Sequence, residues 1–366
     1  MSTAHRVALV HDYLTQRGGA ERVVLSLSDA FPQAPVHTSL YDPDGTFPEF
    51  GALDVHTLPI DRIRALRSRH RLALPLLAPS FSRLTVDAEV TVCSSSGWAH
   101  GTHVTGRKVV YCHTPARWLY QTERYLDGSP SWTSTALSLL APSLRRWDQK
   151  AAASAHRYLV NSSAVRQRVV ELYGIEAEVV PPAVEVDPHG AQSEPAGIQP
   201  GYFLCVSRLL AYKNVEAVTE AFRLLPDQRL IVVGSGPLGD TIRAGAPPNV
   251  TVMGRVDDAT LRWLYHSSSG LVAASHEDFG LTPVEAASFG KPTAALRWGG
   301  FLDTTVEGTT GVFFDRPEPR LIADAVEVLD ATTWSMGVLR AHAETYSAAR
   351  FTKRIDEVVA EERSRL

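Results

Sequence analysis

Cysteine is scarce in this sequence, and no charge of one sign dominates it. The three cysteines, Cys93, Cys112 and Cys205, are odd in number and widely spaced along 366 residues. This usage argues against the disulfide framework of a small secreted domain and favours a reducing cytoplasm. The formal net charge is -4, so there is no overall basic excess to neutralise phosphates, and nucleic acid is not expected as the partner.

Long apolar runs are also missing. No stretch reaches the length of a transmembrane helix, and the beginning, MSTAHRVALV, has neither the apolar core nor the cleavage site of a signal peptide. We therefore expect a cytoplasmic protein. Five arginines stand between Arg62 and Arg71, ahead of leucine-rich sequence. They form either a solvated helix face or a peripheral contact with anionic lipid at the inner membrane face.

The common patterns of metal ligands are a further absence. The sequence contains no HExxH, no CxxC and no D-x-D with acidic neighbours. We therefore expect neither a metal nor another cofactor.

What the sequence does contain is an alternation of short apolar runs with helical patterns, which is typical of parallel sheets with crossover helices. Residues 179–201, rich in proline and glycine, form the expected linker. The pattern predicts an α/β protein of two doubly wound domains, residues 1–185 and 195–344, with an interdomain cleft at the carboxyl ends of the strands. The strand candidates begin at residues 6, 35, 90, 107 and 158, and then at 202, 229, 249, 270, 292 and 311.

Two glutamates stand eight positions apart in the segment SHEDFGLTPVEAASFGKP, residues 275–292. Glu277 follows a predicted strand. A helix is expected from about Pro283, with Thr282 as its N-cap and Glu285 completing a T-x-x-E capping box. Either Glu285 only caps this helix, or the helix N-terminus binds phosphate while the two glutamates hold ribose and sugar hydroxyls.

The form E-D-F-G-L-x-x-x-E-A-x-x-x-G-x-P resembles the donor signature of retaining family-four glycosyltransferases of GT-B fold. Other segments agree in order along the chain: GGAE at 18–21, VSRLLAYKN at 206–214, GSGPL at 234–238 and GRVDDATL at 254–261. The segments HDY at 11–13 and YCHTPARWLY at 111–120 further resemble the branch that makes bacterial polysaccharides and commonly uses GDP-mannose.

The resemblance implies two Rossmann-like domains, the first binding acceptor and the second nucleotide sugar, with residues 345–366 packing back on the first. It implies retaining, metal-independent transfer of a hexosyl unit to a glycan, lipid-linked or small-molecule acceptor. Mannose from GDP-mannose is the first expectation, and a UDP-, dTDP- or other NDP-sugar is the second. A nucleotide-sugar epimerase or hydrolase and a non-catalytic sugar-nucleotide-binding subunit are the alternatives.

The resemblance also implies roles for individual residues. The implied catalytic residues are His113, Arg208, Lys213 and Glu277. The implied donor-binding residues are Gly18, Gly19, Arg208, Lys213, Gly254, Arg255, Val256, Glu277, Phe279, Gly280, Leu281, Thr282 and Glu285. The implied acceptor-binding residues are Asp12, Tyr13, Arg117 and Trp118.

Simpler roles are open for several of these residues. Arg208 and Lys213 alone would be ordinary solvated cations. His113 could be a turn residue, Asp12 could fix the glycine turn by accepting backbone N–H bonds, and Trp118 could pack in the core.

The segment GSGPLG at 234–239 matches the G-x-G-x-x-G pattern of nicotinamide cofactors after a strand. In a dehydrogenase this motif usually follows the first strand of its domain, whereas here it follows the second. A dehydrogenase would also give the two glutamates no function.

Overall fold

The structure is a computed structural model that describes residues 5–68, 73–121, 131–184 and 186–366. The chain divides into two compact units. The first is Met1–Ala183 together with Ala348–Leu366, and the second is Val184–Ser347. Both are α/β units built on parallel sheets, so the expected fold class of two doubly wound sheets is confirmed.

The first unit has a seven-stranded parallel sheet. Its strands are β1 (His5–His11), β2 (Val36–Thr38), β3 (Val55–Thr57), β5 (Ala88–Ser95), β7 (Arg107–Cys112), β8 (Arg157–Val160) and β9 (Glu178–Val179), and the short β4 (Thr85–Val86) and β6 (His103–Val104) pair separately. The spatial order is β3-β2-β1-β5-β7-β8-β9. The order therefore reverses at β1, which has β2 on one side and β5 on the other.

Helices surround this sheet. They are α1 (Gly19–Ala30), α2 (Arg64–Ser68), α3 (Leu74–Arg83), α4 (Arg117–Tyr120), α5 (Ser131–Ala153) and α6 (Ser163–Tyr173), with the last helix of the chain, Ala348–Arg363, packed on the same unit. The limits of α6 follow from its end residues. The Ser162 hydroxyl accepts from the amide of Val165 at 3.1 Å, and Gly174 ends the helix with φ of 66°.

The last helix contributes an apolar face to the first unit. Phe351 and Ile355 are buried among residues of β1, β5 and β7, and the Phe351 ring meets that of Tyr111 edge-on, with centroids 5.8 Å apart. Ion pairs border this contact, including Arg354 Nε to Glu178 Oε1 at 2.6 Å. The helix is thus part of the core of the first unit.

The second unit has a six-stranded parallel sheet. Its strands are β10 (Tyr202–Val206), β11 (Leu230–Val233), β12 (Val250–Gly254), β13 (Ser268–Ala273), β14 (Thr293–Leu296) and β15 (Gly311–Phe314). Its helices are α7 (Val215–Arg223), α8 (Gly239–Gly245), α9 (Asp258–Ser267), α10 (Leu281–Ser288), α11 (Phe301–Thr304), α12 (Pro319–Ala331) and α13 (Met336–Glu344), and the last helix, Ala348–Arg363, is α14.

The strand order of the second sheet, β12-β11-β10-β13-β14-β15, reverses at β10. The chain leaves β10 towards β11 on one side and later returns to β13 on the other. At such a reversal the loops after the two central strands diverge and leave a crevice at their carboxyl ends, where open α/β sheets bind ligands. We therefore expect a ligand-binding site at the loops after β10 and β13.

All eleven predicted strands are present, whereas β3, β4, β6 and β9, each of two or three residues, were not predicted. Within the described residues no helix is long and apolar enough to span a bilayer. Of the arginine-rich segment, Arg69 and Arg71 lie outside the described residues. Arg67 donates to the Asp61 carboxylate at 2.8 Å, while Arg62 and Arg64 are exposed.

Candidate functional site

The loop after β10 is held by a glycine-rich neighbour. Residues 234–239 follow β11, and a Cβ at Gly234 would collide with the carbonyl oxygen of Ser207, as one at Gly236 would with that of Leu209. Backbone bonds join the two loops, including Leu209 N to Ser235 O at 3.0 Å. Close loop packing therefore explains the glycines of the G-x-G-x-x-G match.

Two cations lie in and just after this loop. Arg208 is exposed, and its Nη2 donates to the Tyr212 hydroxyl at 2.9 Å. Lys213 is only 7% exposed, and its Nζ lies 4.9 Å from the centre of the Tyr212 ring. One tyrosine thus contacts both of the predicted phosphate-binding side chains.

The loop after β13 brings a carboxylate to the same place. Lys213 Nζ donates to Glu277 Oε1, and the Ser275 hydroxyl donates to the same oxygen at 3.1 Å. A buried ammonium requires a hydrogen-bonded partner of opposite charge, and Glu277 supplies it. The structure thus brings together Arg208, Lys213 and Glu277, which the sequence placed after strands far apart in the chain.

The backbone of the Glu277 loop is fixed from two sides. Asn214, in the left-handed region with φ of 54°, donates from Nδ2 to Ala274 O at 2.7 Å. The amide of Gly300 donates to Glu277 O at 2.9 Å, and Gly299 has φ of 58°, where a Cβ would collide with the same carbonyl oxygen. These contacts hold the loop without occupying the Glu277 carboxylate.

The helix after this loop begins earlier than the sequence predicts. Its first residue is Leu281 and its N-cap is Gly280, with φ of 83° and no side-chain cap. The expected N-cap at Thr282 is therefore wrong, and Glu285 is the fifth helical residue and does not complete a capping box. The glycine can turn the chain at positive φ, and Pro283 is tolerated in a first turn, where N–H groups have no acceptor within the helix.

This geometry leaves the helix N-terminus available to an anion. The amides of Leu281 and Thr282 belong to the first turn, so the helix itself offers them no acceptor, and they lie at the positive end of the helix dipole. Phe279, just ahead of the turn, is buried against α10 and α13. The loop and helix together form an edge suited to phosphate.

Glu285 has a defined partner inside the unit. Its Oε2 accepts a hydrogen bond from the Tyr265 hydroxyl at 2.7 Å. Tyr265 is fully buried near the end of α9, and its ring stacks on Phe289 with centroids 5.3 Å apart. Burial, with the adjacent Glu285 carboxylate, raises the pKa of Tyr265 well above its ordinary value, so the phenol stays protonated and donates.

The end of β12 lies beside the same loops. Gly254 ends the strand with φ of 82°, and its carbonyl accepts from the amide of Gly234 at 2.8 Å. Arg255 is exposed and Val256 packs partly against the core. Asp257 accepts from Thr260 N at 2.7 Å as the N-cap of α9, which gives it a structural role.

Asp12, at the end of β1 in the first unit, is 2% exposed. Its carboxylate accepts from the amides of Ser96 and Ala99, each at 2.6 Å, and of Trp98 at 3.2 Å. The Asp12 carboxylate thus accepts backbone N–H bonds, but the donors lie in residues 96–99 and not in the glycine turn at 18–19, so the expected role in fixing that turn is wrong. Acceptor binding by Asp12 stays a prediction.

His113 belongs to a buried polar cluster in the first unit. Its Nε2 is hydrogen-bonded to the Ser94 hydroxyl at 2.8 Å, and His11 Nδ1 lies 3.1 Å from the same oxygen. Burial lowers the pKa of His11, but the combined effects of Glu21, the Asp12 charge and the backbone hydrogen bond to Ser94 outweigh it, so the pKa is raised. His113 follows β7 and therefore lies at the carboxyl edge of the first sheet. The catalytic role of His113 stays a prediction.

The other residues predicted for the site in the first unit lie in or next to the core, or at the start of a helix. Trp118 is 4% exposed, and its ring stacks on Trp98 with centroids 4.3 Å apart, so core packing accounts for it. Arg117 begins α4 and is half-buried, and Tyr13 is likewise half-buried against the core. Gly18 is the N-cap of α1 and Gly19 its first residue.

Sequence reasoning missed two tyrosines of the second unit. Tyr212 follows an alanine after β10, and only its position between Arg208 and Lys213 could have drawn attention to it. Tyr265 reads as an apolar core position of a helix, which gives no sign of its partner. Within the described part of the chain no group of three or more metal-binding side chains is found, and independence from a metal stays a prediction.

Two family models match this chain. "Glycosyltransferase Family 4" matches residues 17–188, and "Glycosyl transferases group 1" matches residues 191–330. Between them the models cover nearly all of the chain from residue 17 to residue 330, and the chain belongs to the family-four glycosyltransferases.

Curated relatives match part of the chain. The D-inositol 3-phosphate glycosyltransferase of Corynebacterium diphtheriae is 30% identical over 173 residues, which are 42% of this chain and 40% of that protein. The protein of the same name from Mycobacterium tuberculosis is 27% identical over 204 residues, 50% of this chain and 42% of that protein. The matches thus span less than half the length of these relatives.

Solved structures match nearly the whole chain. Anabaena HepE in complex with UDP-glucose has a TM-score of 0.69 at 16% identity, covering 98% of this chain and 100% of that one. The lipopolysaccharide outer core galactosyltransferase WaaB, in its apo form, has a TM-score of 0.64 at 15% identity, covering 97% and 99%. At such identities the likeness shows the fold alone, and it agrees with the expected GT-B class.

Proposed function

We propose that this chain is a retaining glycosyltransferase that moves a hexosyl unit from a nucleoside-diphosphate sugar to a hydroxyl of a second molecule. The observation that carries the proposal is the contact of Lys213 with Glu277, beside Arg208, at the edge where α10 begins. This edge offers two cations, helix amides and a carboxylate, which match the charges and hydroxyls of such a donor.

The diphosphate is the part of the donor with the highest charge. Arg208 can bind it through several N–H groups at once, and Lys213 adds a compact positive charge. The first-turn amides of Leu281 and Thr282 supply donors that need no reorientation. In this proposal these groups provide the positive charge that a metal ion provides in other enzymes.

The two glutamates take the hydroxyl-bearing parts of the donor. Glu277 lies next to Lys213 and would accept hydrogen bonds from hydroxyls of the transferred sugar. Glu285 lies one turn along α10 and would accept from the ribose. The turn at 254–256, next to Gly234 and with Arg255 exposed, would contact the base through backbone groups.

The chemical step breaks the bond between the anomeric carbon and a phosphate oxygen. Negative charge then grows on the leaving diphosphate, where Arg208, Lys213 and the α10 dipole stabilise it. The acceptor oxygen bonds to the anomeric carbon on the face that the diphosphate leaves, and its proton passes to a phosphate oxygen. Configuration is thereby retained without a carboxylate nucleophile, unlike in retaining hydrolases.

Two nucleotide sugars are the main candidates for the donor. GDP-mannose comes first, on the resemblance of residues 11–13 and 111–120. A UDP-hexose comes second, supported by the UDP-glucose bound in the Anabaena neighbour. Thermal-shift measurements with GDP, UDP, dTDP and ADP would rank them, because a ligand that binds the folded state stabilises it by mass action.

Nucleotide release in the presence of the preferred donor tests the reaction itself. A transferase releases nucleoside diphosphate only when an acceptor is present. Steady release without acceptor would indicate a hydrolase, and donor binding without any turnover would indicate a binding subunit. NMR of the product then shows whether the anomeric configuration is retained.

The first unit is proposed to bind the acceptor, with His113, Tyr13 and Arg117 as the residues to test.

A lipid-linked acceptor would bring the protein to a membrane. Arg62 and Arg64 are exposed, with exposed Ile63 between them, and suit an anionic surface. Sedimentation with phosphatidylglycerol vesicles tests this, and equal binding of an Arg62→Glu, Arg64→Glu variant would contradict it.

A further inference from the structure

One buried hydroxyl in the second unit is aimed at a residue of the proposed site. Tyr265 is fully buried near the end of α9, and its hydroxyl donates to Glu285 Oε2 at 2.7 Å. The bond joins two helices that are separated by β13 and the Glu277 loop in sequence. Tyr265 itself is held by the stacked ring of Phe289, with an interplanar angle of 11°.

A glutamate that recognises ribose needs two properties. It must stay ionised in order to accept from hydroxyls, and its flexible side chain must be held in one orientation. A hydrogen-bond donor to one carboxylate oxygen favours both properties. The hydrogen bond stabilises the ionised form of the glutamate and fixes the plane of its carboxylate. The phenol of Tyr265 is such a donor, and it approaches from the buried side.

Resting on the proposed function, we propose that Tyr265 is a positioning residue for nucleotide binding: its hydroxyl holds the Glu285 carboxylate in the orientation that accepts hydrogen bonds from the ribose diol. Tyr265 does not touch the ligand. Its contribution should therefore appear only with ligands that carry the diol.

A purely structural role makes a different prediction. A buried hydroxyl also needs an acceptor for its own sake, and losing the bond could loosen the whole unit. In that case all nucleotides would bind more weakly to the same extent. Comparing a ribonucleotide with its 2′,3′-dideoxy form separates the two roles.

The experiment uses the full chain and Tyr265→Phe, which removes one oxygen and keeps the ring. The matched control is Tyr202→Phe, because Tyr202 is also buried in the second unit and its hydroxyl donates to the backbone oxygen of Leu264 at 2.9 Å, not to Glu285. Calorimetry measures binding of GDP or UDP, whichever stabilises the wild type more, and of its 2′,3′-dideoxy form.

We expect the wild type and Tyr202→Phe to prefer the ribonucleotide. In Tyr265→Phe the ribonucleotide should bind roughly tenfold more weakly, the size of one hydrogen bond to a charged group, while dideoxynucleotide binding stays unchanged. The preference for the diol should thus largely disappear.

Other results overturn the proposal in distinguishable ways. If Tyr265→Phe keeps the full preference, or weakens both ligands equally, Tyr265 does not position Glu285 for ribose. Loss of folding in Tyr265→Phe alone would likewise give the hydroxyl a structural role. If the wild type binds the diphosphate but shows no preference, Glu285 does not bind ribose; if it binds no nucleotide at all, the proposed function itself fails.

Discussion

At the scale of single residues, the two cations of the candidate site have different surroundings. Arg208 is exposed and donates to the hydroxyl of Tyr212, so it can turn to a ligand at little cost. Lys213 is buried and paired with Glu277, so a diphosphate must share or replace that partner. The two residues should therefore respond differently to substitution.

Arg208→Ala should weaken binding of the nucleoside diphosphate by about 10- to 100-fold, because charge-assisted hydrogen bonds to a phosphate are lost. Binding of the nucleoside without phosphates should not change. Calorimetry with both ligands measures this, and Arg223→Ala is the control, since Arg223 is an exposed arginine paired with Glu220 in the same unit. Equal diphosphate affinity in wild type and Arg208→Ala would remove Arg208 from the site.

Glu277→Gln should have opposite effects on binding and transfer. Removing the negative charge leaves Lys213 less neutralised, so the free diphosphate should bind a few-fold more tightly, roughly 3- to 10-fold. Sugar transfer should slow by at least about tenfold, because an amide is a poorer acceptor for sugar hydroxyls than a carboxylate.

Calorimetry and initial rates of nucleotide release measure the two effects, and Glu216→Gln, an exposed glutamate on α7, is the control. Weaker diphosphate binding together with unchanged transfer would contradict the place of Glu277 beside the phosphate.

The sequence could locate residues that follow strands, such as Arg208 and Glu277, because parallel strands bring their carboxyl ends to one edge. It could not identify Tyr212 as the partner of Arg208, or Tyr265 as the partner of Glu285. Apolar periodicity shows that a tyrosine is buried, but the acceptor of its hydroxyl depends on how two helices pack, which a local pattern does not contain.

At the scale of elements, the start of α10 decides how the site is built. The sequence contains a good N-cap signal at Thr282, yet the helix begins after Gly280. Gly280 has positive φ and lies against the ring of Phe301, a contact set by tertiary packing. Strands of four or more residues could be predicted because their apolar runs are long enough to be recognised in the sequence. The start of α10, in contrast, depends on a single glycine.

Gly280→Ala should disturb both stability and binding. A Cβ there would collide with the Phe301 ring and strain a backbone at φ of 83°, so the free energy of unfolding should fall by about 1–3 kcal/mol. Diphosphate binding should weaken as the first-turn amides shift.

Denaturant unfolding and calorimetry measure these two effects. Gly245→Ala, at the end of α8 with open space around its Cβ position, should leave both nearly unchanged. A fully stable Gly280→Ala with normal affinity would show that the turn does not need glycine.

At the scale of the whole molecule, the chain consists of two units whose sheets each reverse their strand order at one central strand. The second unit holds all of the proposed donor residues except Gly18 and Gly19, which lie in the first unit together with the proposed acceptor residues. The last helix, α14, belongs to the first unit although it follows the second in sequence. Both ends of the chain therefore contribute to one core.

Phe351→Ala should destabilise the first unit by about 3–5 kcal/mol, because it empties a buried position beside Tyr111. Diphosphate binding in the second unit should be retained wherever the protein is folded. Lys353→Ala, an exposed position on the same helix, is the control. Unfolding curves measure the change, and a loss below about 1 kcal/mol would mean that α14 contributes little to the core.

The central claim concerns where the diphosphate binds, and a crystal structure of the full chain with GDP or UDP tests it most directly. The account predicts that both phosphates lie at the first turn of α10, within hydrogen-bond distance of Arg208, with Lys213 beside them. A nucleotide bound elsewhere, with that edge unoccupied at full ligand saturation, would contradict the account.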